Sequence, residues 1–565
     1  MSTPHHANAF TGAEAMVRML QAYDVKHIFG LCGDTTLPFY DALACLDHDI
    51  THLLTRDERH AAYMADAYAR VTGKPGICEG PSGGGATYIL PGVVEANESS
   101  VPVLAITSDV STNSRGRYPL TELDQPALFK PLTKWNTSLD DANRLPAMVR
   151  AAFRAMTTGR PGATHLAFPF DTQKASVDAD EIWADARHQT FPAEPTAPDQ
   201  DAIVEAANLI ANAKKPVVVC GGGVVIAQAM DALTTLARAC NMPIATTVSG
   251  QGSISERDPL ALGVVGSNGG VASTRVVIDE ADLVIFIGCR AGSVTTERWR
   301  SPKRTTQIIH IDSDPDVIGA NYQTNVALAG DARLALEAIV HALAGISNDF
   351  DGVSRCEAAW KAKLTDFEAL ARSEGGPIRP ERVMADLMDV LDDDAIIAAD
   401  PGTPCPYFSA HYRWPKAGRH FITNRAHGAL GYGMAAAMGA HVGRPNVKTI
   451  SAMGDGSFGF CCGEFETMTR YNMPITNIVF SNSVYGWIKA GQNAGFGKRF
   501  YNVDFNRTDH AAVASAFGVK SWRVEDPADL KSVLNEAVNH DGPTLVDVIS
   551  QPLHEAAAPV SEWVA

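Results

Sequence analysis

The feature that most constrains this chain is a rhythm: short apolar, β-branched runs, each followed by a longer amphipathic helical pattern, repeated almost from end to end. Residues 27–29, 101–106, 216–220, 283–287, 307–311 and 475–480 are such runs. Continuous apolarity, rather than in-out alternation, marks strands buried on both faces. Parallel strands need crossover helices, so strand–helix alternation specifies a parallel sheet with helices on both sides. At 565 residues there is more chain than one core can organise. Two stretches break the rhythm: 175–201, acidic and Pro-rich ("PAEPTAPDQD"), and 346–379, polar, with a helical pattern of its own near 358–371. The expected fold class is α/β, with three doubly wound parallel-sheet domains at 1–175, 201–345 and 380–550. Linkers at 176–200 and 346–379 join them, and an Ala- and Pro-rich tail, 551–565, packs over a site or a neighbour.

Charge narrows the partners. Lys plus Arg minus Asp plus Glu is 47 − 64 = −17. Nucleic acid and anionic membranes reward clustered positive charge, so neither is expected as a partner. The longest apolar stretch, near 217–230, is interrupted by glycines and shorter than a bilayer span. The start, "MSTPHHANAFTG", lacks the charged-then-apolar pattern of a secretion signal. Ten cysteines are scattered through apolar runs without a C-x-x-C, as expected of reduced thiols in a cytoplasmic protein.

One strand end stands out. The strand read at 447–451 runs into "AMGDGSFGF" (452–460), and the next strand, "ITNIVF", runs into Ser481 and Asn482. A lone GDG is usually a surface turn. Here, however, Asp455 and Asn482 lie 27 positions apart at the C-terminal ends of successive parallel strands, the edge where open α/β sheets bind ligands. A carboxylate, an amide oxygen and the nearby backbone carbonyl of Val484 make three hard oxygen ligands. Mg²⁺ would complete its octahedron with water and phosphate. Gly454 and Gly456 let a diphosphate approach the backbone, and the following helix N-terminus favours its charge.

This strand–GDG–helix–strand–Asn unit resembles the diphosphate anchor of thiamine diphosphate enzymes. The segment "ITHLLTRDERHAAYMADAYARVTGKPGICEGPSGGGATYILPGVVEANESSVPVLAIT" (50–107) resembles the pyrimidine-binding segment of the acetolactate synthase-like, 2-oxo acid decarboxylase superfamily, and puts that family's catalytic carboxylate on Glu58. "HGALGYGMAAAMGAH" (427–441) resembles the segment that bends the cofactor. There Leu430 would be the apolar wedge, and the Gly428 carbonyl would accept from the exocyclic amine. The resemblance implies pyrimidine-binding, central and diphosphate-binding domains, with thiamine diphosphate held by Glu58, Gly428, Leu430, Gly454, Asp455, Gly456, Ser457, Asn482 and Val484. Mg²⁺ would sit on Asp455, Asn482 and Val484. A buried carboxyl at Glu58 would share a proton with the pyrimidine ring and so promote carbanion formation. Family members are dimers or tetramers, so Glu58 and Asp455 of one site would come from different chains.

The resemblance is less specific about substrate. Gly33-Asp34 matches the Gly-Asp pair of pyruvate decarboxylases, but their paired histidines are replaced by "SDVSTNSRGRYPL", and their glutamate beyond the metal asparagine is Ile488. The Phe-Gln pair of acetolactate synthases appears as Leu120-Thr121, and their lysine as Phe170, which suggests a different acceptor or donor. Asp34, Thr35, Thr121, Glu122, Thr403, His427 and Trp487 are candidate pocket groups. Gly-rich turns in the middle block ("KPVVVCGGGVV", "GSNGG"), with Arg290, Asp312 and Asp314, are candidates for FAD or an ADP-containing group such as CoA. The expected activity is making or breaking a carbon–carbon bond next to a carbonyl: decarboxylation of a 2-oxo acid, with aldehyde release or carboligation. An oxalyl-CoA decarboxylase or 2-hydroxyacyl-CoA lyase activity is the alternative, and a non-catalytic cofactor-binding paralogue the alternative from another class.

Overall fold

The computed structural model describes residues 9–344 and 348–563. The opening residues 1–8, the junction 345–347 between the central block and the second expected linker, and the last two tail residues lie outside that description. The chain forms two compact units, one of Met1–Glu194 with Ala426–Pro445, the other of Pro195–Arg425 with Asn446–Ala565.

Three six-stranded, all-parallel sheets organise these units, as the strand–helix rhythm requires. In the first unit the order is Thr51–Leu54, His27–Gly30, Gly76–Gly80, Val103–Asp109, Thr164–Pro169, Trp135–Ser138. Numbered by chain order within the sheet, that is 2-1-3-4-6-5. The last sheet has the same order: Phe421–Thr423, Ile396–Ala399, Thr449–Gly454, Ile475–Ser481, Thr544–Ile549, Lys520–Val524. The middle sheet differs. Its order is Ala261–Val264, Ile244–Thr246, Pro216–Cys220, Leu283–Ile287, Gln307–Asp312, Val326–Ala329, or 3-2-1-4-5-6, the order of dinucleotide-binding sheets.

The shared order makes two helices equivalent. Each links the second and third strands of its sheet: Glu58–Thr72 in the first, Tyr432–Gly443 in the last. Asp57 caps the former by accepting from the Arg59 N–H, and Gly73, at φ 71°, ends it in the left-handed region open to glycine. The two helices pack together within the first unit. A Cβ on Gly439 would lie 2.1 Å from the Met64 carbonyl, so only glycine permits this backbone approach.

Local boundaries differ from expectation for identifiable reasons. The strand read at 447–451 continues to Gly454, so Asp455 is the first residue of a helix. The helical pattern after it divides into Asp455–Cys461 and Glu464–Arg470, interrupted at Cys462 and Gly463, where glycine costs a helix roughly 1 kcal/mol. The strand read from 101 begins at Val103, behind Pro102, which lacks an N–H. Residues 176–200 carry structure: Ser176–Asp178 pairs antiparallel with Ala9–Thr11, and the first unit runs on to Glu194. The helix read near 358–371 spans Gly352–Ala371.

Candidate functional site

Asp455 follows the third strand of the last sheet, and Asn482 the fourth. The Asp455 carboxylate is buried and accepts three backbone N–H groups: Gly456 at 2.9 Å, Asn482 at 2.7 Å and Ser483 at 2.6 Å. Burial raises its pKa, and the amides of Ser483 and Asn482 pull it back down. Ser483 takes φ 59°, unusual for a non-glycine, and turns the chain so that both amides reach one carboxylate. The side-chain amide of Asn482 is the opposite case: its Oδ1 and Nδ2 are both buried, and neither has a partner.

Val484 forms an antiparallel bridge with Asp504, flanked by Tyr485 N–H to Val503 O at 2.9 Å and Phe505 N–H to Ser483 O at 3.0 Å. In that pattern the neighbours make the hydrogen bonds, so the N–H and C=O of Val484 itself point away from the hairpin. An orphaned amide oxygen, a carboxylate and an uncommitted carbonyl at one sheet edge fit a small hard cation that also takes phosphate and water. Among the described residues no three His, Cys, Asp or Glu side chains cluster as a metal site, so any divalent ion must rely on such mixed oxygen ligands. A Cβ on Gly454 would enter open space, as a ligand cradle requires. A Cβ on Gly456 would lie 2.7 Å from the Tyr485 ring, so its lack of a side chain also seats that tyrosine. Ser457 is buried in the first turn of the same helix.

Glu58 occupies the equivalent edge of the first sheet and opens its helix. The residue is 7% exposed; burial raises its pKa, and the Asp57 and Glu79 carboxylates add to the rise. Its roof is the glycine loop after Gly76–Gly80: a Cβ on Gly85 would stand 3.2 Å from Glu58 Oε1. A buried carboxyl with a raised pKa beside a glycine can hold or release a proton against a flat ring.

Gly428, at φ 73° with open space where a Cβ would project, and half-buried Leu430 precede the equivalent helix. Glu95, which sequence reasoning passed over, anchors this segment. Fully buried, its Oε2 accepts from the His427 N–H at 2.7 Å and the Ala426 N–H at 3.2 Å, the two amides just before Gly428. Its Oε1 accepts from Ser99 Oγ at 2.6 Å and Arg70 at 3.3 Å. Arg70 also pairs with Asp66 at 2.8 Å, and Asp66 accepts from Tyr432 Oη at 2.6 Å. The available signal was a lone glutamate on the apolar face of "GVVEAN".

Of the pocket candidates, Asp34, Thr35, Thr121, Glu122 and His427 belong to the first unit, Thr403 and Trp487 to the second. Thr35 and Thr121 are brought together through Ser82. His427 contributes its backbone N–H to Glu95, as above. Thr403 lies against Gly486, where a Cβ would be 3.3 Å from its Oγ1. Trp487 packs on Trp563 with ring centroids 5.1 Å apart, so the tail folds back onto a candidate residue. Three turn glycines of the middle block are packed against protein. A Cβ on Gly221 would lie 2.0 Å from the Gly288 carbonyl, one on Gly266 2.3 Å from the Val294 carbonyl, and one on Gly269 2.5 Å from Ser409.

The sequence also matches known protein families. Three family models cover most of the chain: the thiamine pyrophosphate enzyme N-terminal TPP binding domain over residues 10–128, the central domain over 203–339, and the C-terminal TPP binding domain over 400–548. The chain therefore belongs to the thiamine pyrophosphate enzyme family and is a thiamine diphosphate-dependent enzyme. Among its relatives, a probable acetolactate synthase large subunit of Methanococcus aeolicus is 36% identical over 96% of this chain and 92% of that protein. Another from Methanocaldococcus jannaschii is also 36% identical, over 96% and 92%. The acetolactate synthase isozyme 2 large subunit of Escherichia coli is 32% identical over 95% of each.

Proposed function

We propose that this enzyme decarboxylates a 2-oxo acid and transfers the remaining acyl unit to a carbonyl acceptor or releases it as an aldehyde. The observation that carries the reading is the unpartnered, buried amide of Asn482 beside the Asp455 carboxylate. A folded protein keeps such an amide only where something else satisfies it. In this reading Asp455, Asn482 and the Val484 carbonyl hold Mg²⁺ and, through it, the cofactor diphosphate, with Gly454, Gly456 and Ser457 alongside. Thiamine diphosphate, when bound, supplies the carbon nucleophile and the electron sink for decarboxylation.

The chain's own residues do the rest. Glu58 holds a proton against the pyrimidine nitrogen, helped by burial that raises its pKa above the ordinary carboxyl value. Glu95 fixes the two amides ahead of Gly428, so that the Gly428 carbonyl and Leu430 have a defined position. The donor's carbon–carboxylate bond breaks, CO₂ leaves, and the electron pair left behind adds to the acceptor carbonyl, whose oxygen takes a proton. No oxidant or reductant is consumed.

The proposal includes domain boundaries at 1–175, 201–345 and 380–550 and a cytoplasmic location. It also includes a homodimer or homotetramer in which Glu58 and Asp455 of one site come from different chains. No helix among the described residues is long and apolar enough to cross a membrane. For FAD or an ADP-bearing group in the middle domain, the support is the strand order, since Gly221, Gly266 and Gly269 are packed against protein. The test is a panel of 2-oxo acids offered to protein loaded with thiamine diphosphate and Mg²⁺, with CO₂ and ligation products followed together. Absence of CO₂ from every member would overturn the proposal.

A further inference from the structure

Four hydroxyls from four separate chain segments line up at the C-terminal edge of the first sheet. Ser108 lies near the end of Val103–Asp109, Thr35 follows His27–Gly30, Ser82 follows Gly76–Gly80, and Thr121 sits on the loop after Ser108. Ser108 Oγ and Thr35 Oγ1 are 2.6 Å apart, Thr35 Oγ1 donates to Ser82 Oγ at 3.0 Å, and Ser82 Oγ and Thr121 Oγ1 are 2.7 Å apart. Thr121 Oγ1 donates to the Leu120 carbonyl, and Thr35 Oγ1 accepts the Ser82 N–H at 3.1 Å. The array borders the proposed reaction centre: a Cβ on Gly83 would lie 2.7 Å from Thr121 Cβ, and two residues on, Gly85 faces Glu58. Thr121 and Tyr118 both hold positive φ, 71° and 59°, unusual for residues other than glycine.

Each hydroxyl has one proton and two lone pairs. With Thr35 donating to Ser82 and Thr121 spending its proton on the Leu120 carbonyl, Ser108 must donate to Thr35 and Ser82 to Thr121. Every proton is used inside the array, and the exposed end, Thr121, offers a lone pair. Such an end receives a donor. A carboxylate has only lone pairs to offer, and Thr121 has no proton left to give it. Arg115 on the same loop is committed to Asp109 at 3.0 Å and Asp140 at 2.9 Å; Arg117 is exposed.

We propose that the Ser108–Thr35–Ser82–Thr121 array selects the acceptor, favouring a neutral aldehyde or ketone with a hydroxyl group near its carbonyl over a second 2-oxo acid anion. The inference rests on the proposed function and names the acceptor class of that same site. The experiment offers the loaded enzyme pyruvate as donor, or the 2-oxo acid that releases CO₂ fastest. Glycolaldehyde, acetaldehyde and pyruvate compete as acceptors, and products are resolved by NMR.

The expected result is a preference of about tenfold for glycolaldehyde over acetaldehyde, the worth of one hydrogen bond. Thr121→Val and, separately, Ser82→Ala should bring that ratio close to one while the cofactor-induced rise in melting temperature persists. A wild-type enzyme that prefers pyruvate, with Arg117→Ala abolishing that ligation, would overturn the inference, as would a ratio unmoved in both hydroxyl variants. Release of CO₂ without any hydroxyl preference defeats this inference alone. No CO₂ from any 2-oxo acid defeats the underlying function with it.

Discussion

Replacing Asn482 with alanine should leave the cofactor-free protein as stable as before, or more so, while removing most of its response to cofactor. The side chain makes no protein hydrogen bond, and both of its polar atoms are buried. An unsatisfied buried amide costs about 1–3 kcal/mol, and the packing lost on truncation is about 1 kcal/mol, so the net change lies between about zero and 2 kcal/mol in favour of the variant. In the loaded protein the sign reverses. Even an outer-shell partner of a metal site is worth about 10–100-fold in affinity, and a direct ligand should cost at least that. At a cofactor concentration of about 100 Kd, binding adds about 2.7 kcal/mol of stability; a 100-fold loss leaves roughly 0.4 kcal/mol. Four melting curves suffice, wild type and Asn482→Ala, each with and without thiamine diphosphate and Mg²⁺. A variant that melts lower when free of cofactor yet shows the full cofactor-induced shift would refute the assignment.

Other residues give distinct signatures. Asp455→Ala should lose both stability and cofactor, because three backbone N–H donors lose their acceptor; equal cofactor retention with and without Mg²⁺ after gel filtration, matching wild type, would contradict it. Glu95→Ala leaves Arg70 one carboxylate short and frees the amides of residues 426 and 427, so urea unfolding should show a loss of about 3–5 kcal/mol, with Glu95→Gln milder. Glu58→Gln should raise the melting temperature of the cofactor-free protein by about 1–3 °C at pH 7.5. A carboxyl whose folded pKa is raised opposes folding when ionised, so the gain must shrink as pH falls through the raised value towards 4.5 and vanish below it. A gain independent of pH would contradict the burial account.

The parallel-sheet architecture could be read from the chain because its strands are continuous apolar runs, and a run such as 283–287 appears unchanged as Leu283–Ile287. The placement of Glu58, Asp455 and Asn482 just beyond strand ends was readable because each strand lies within a recognisable segment. Their distance in sequence, 455 − 58 = 397 positions, did not matter. Glu95 was hidden for the opposite reason. Its partners are the backbone amides of residues 426 and 427, which carry no sequence signal and lie 331 and 332 positions away. Ser82 and Ser108 likewise become meaningful only when folding brings them to Thr35, 47 and 73 positions off in the chain. The lack of bulk at Gly456 was visible, whereas the Tyr485 ring that also needs the space was not.

In the proposed reaction the Glu58 carboxyl drives deprotonation of bound thiamine diphosphate. This step is tested most directly by the rate at which the cofactor's C2 proton exchanges with D₂O on the loaded enzyme. Glu58→Gln should slow that exchange by about 10²-fold or more while the cofactor stays bound. Exchange at the wild-type rate in a cofactor-saturated Glu58→Gln enzyme would contradict it.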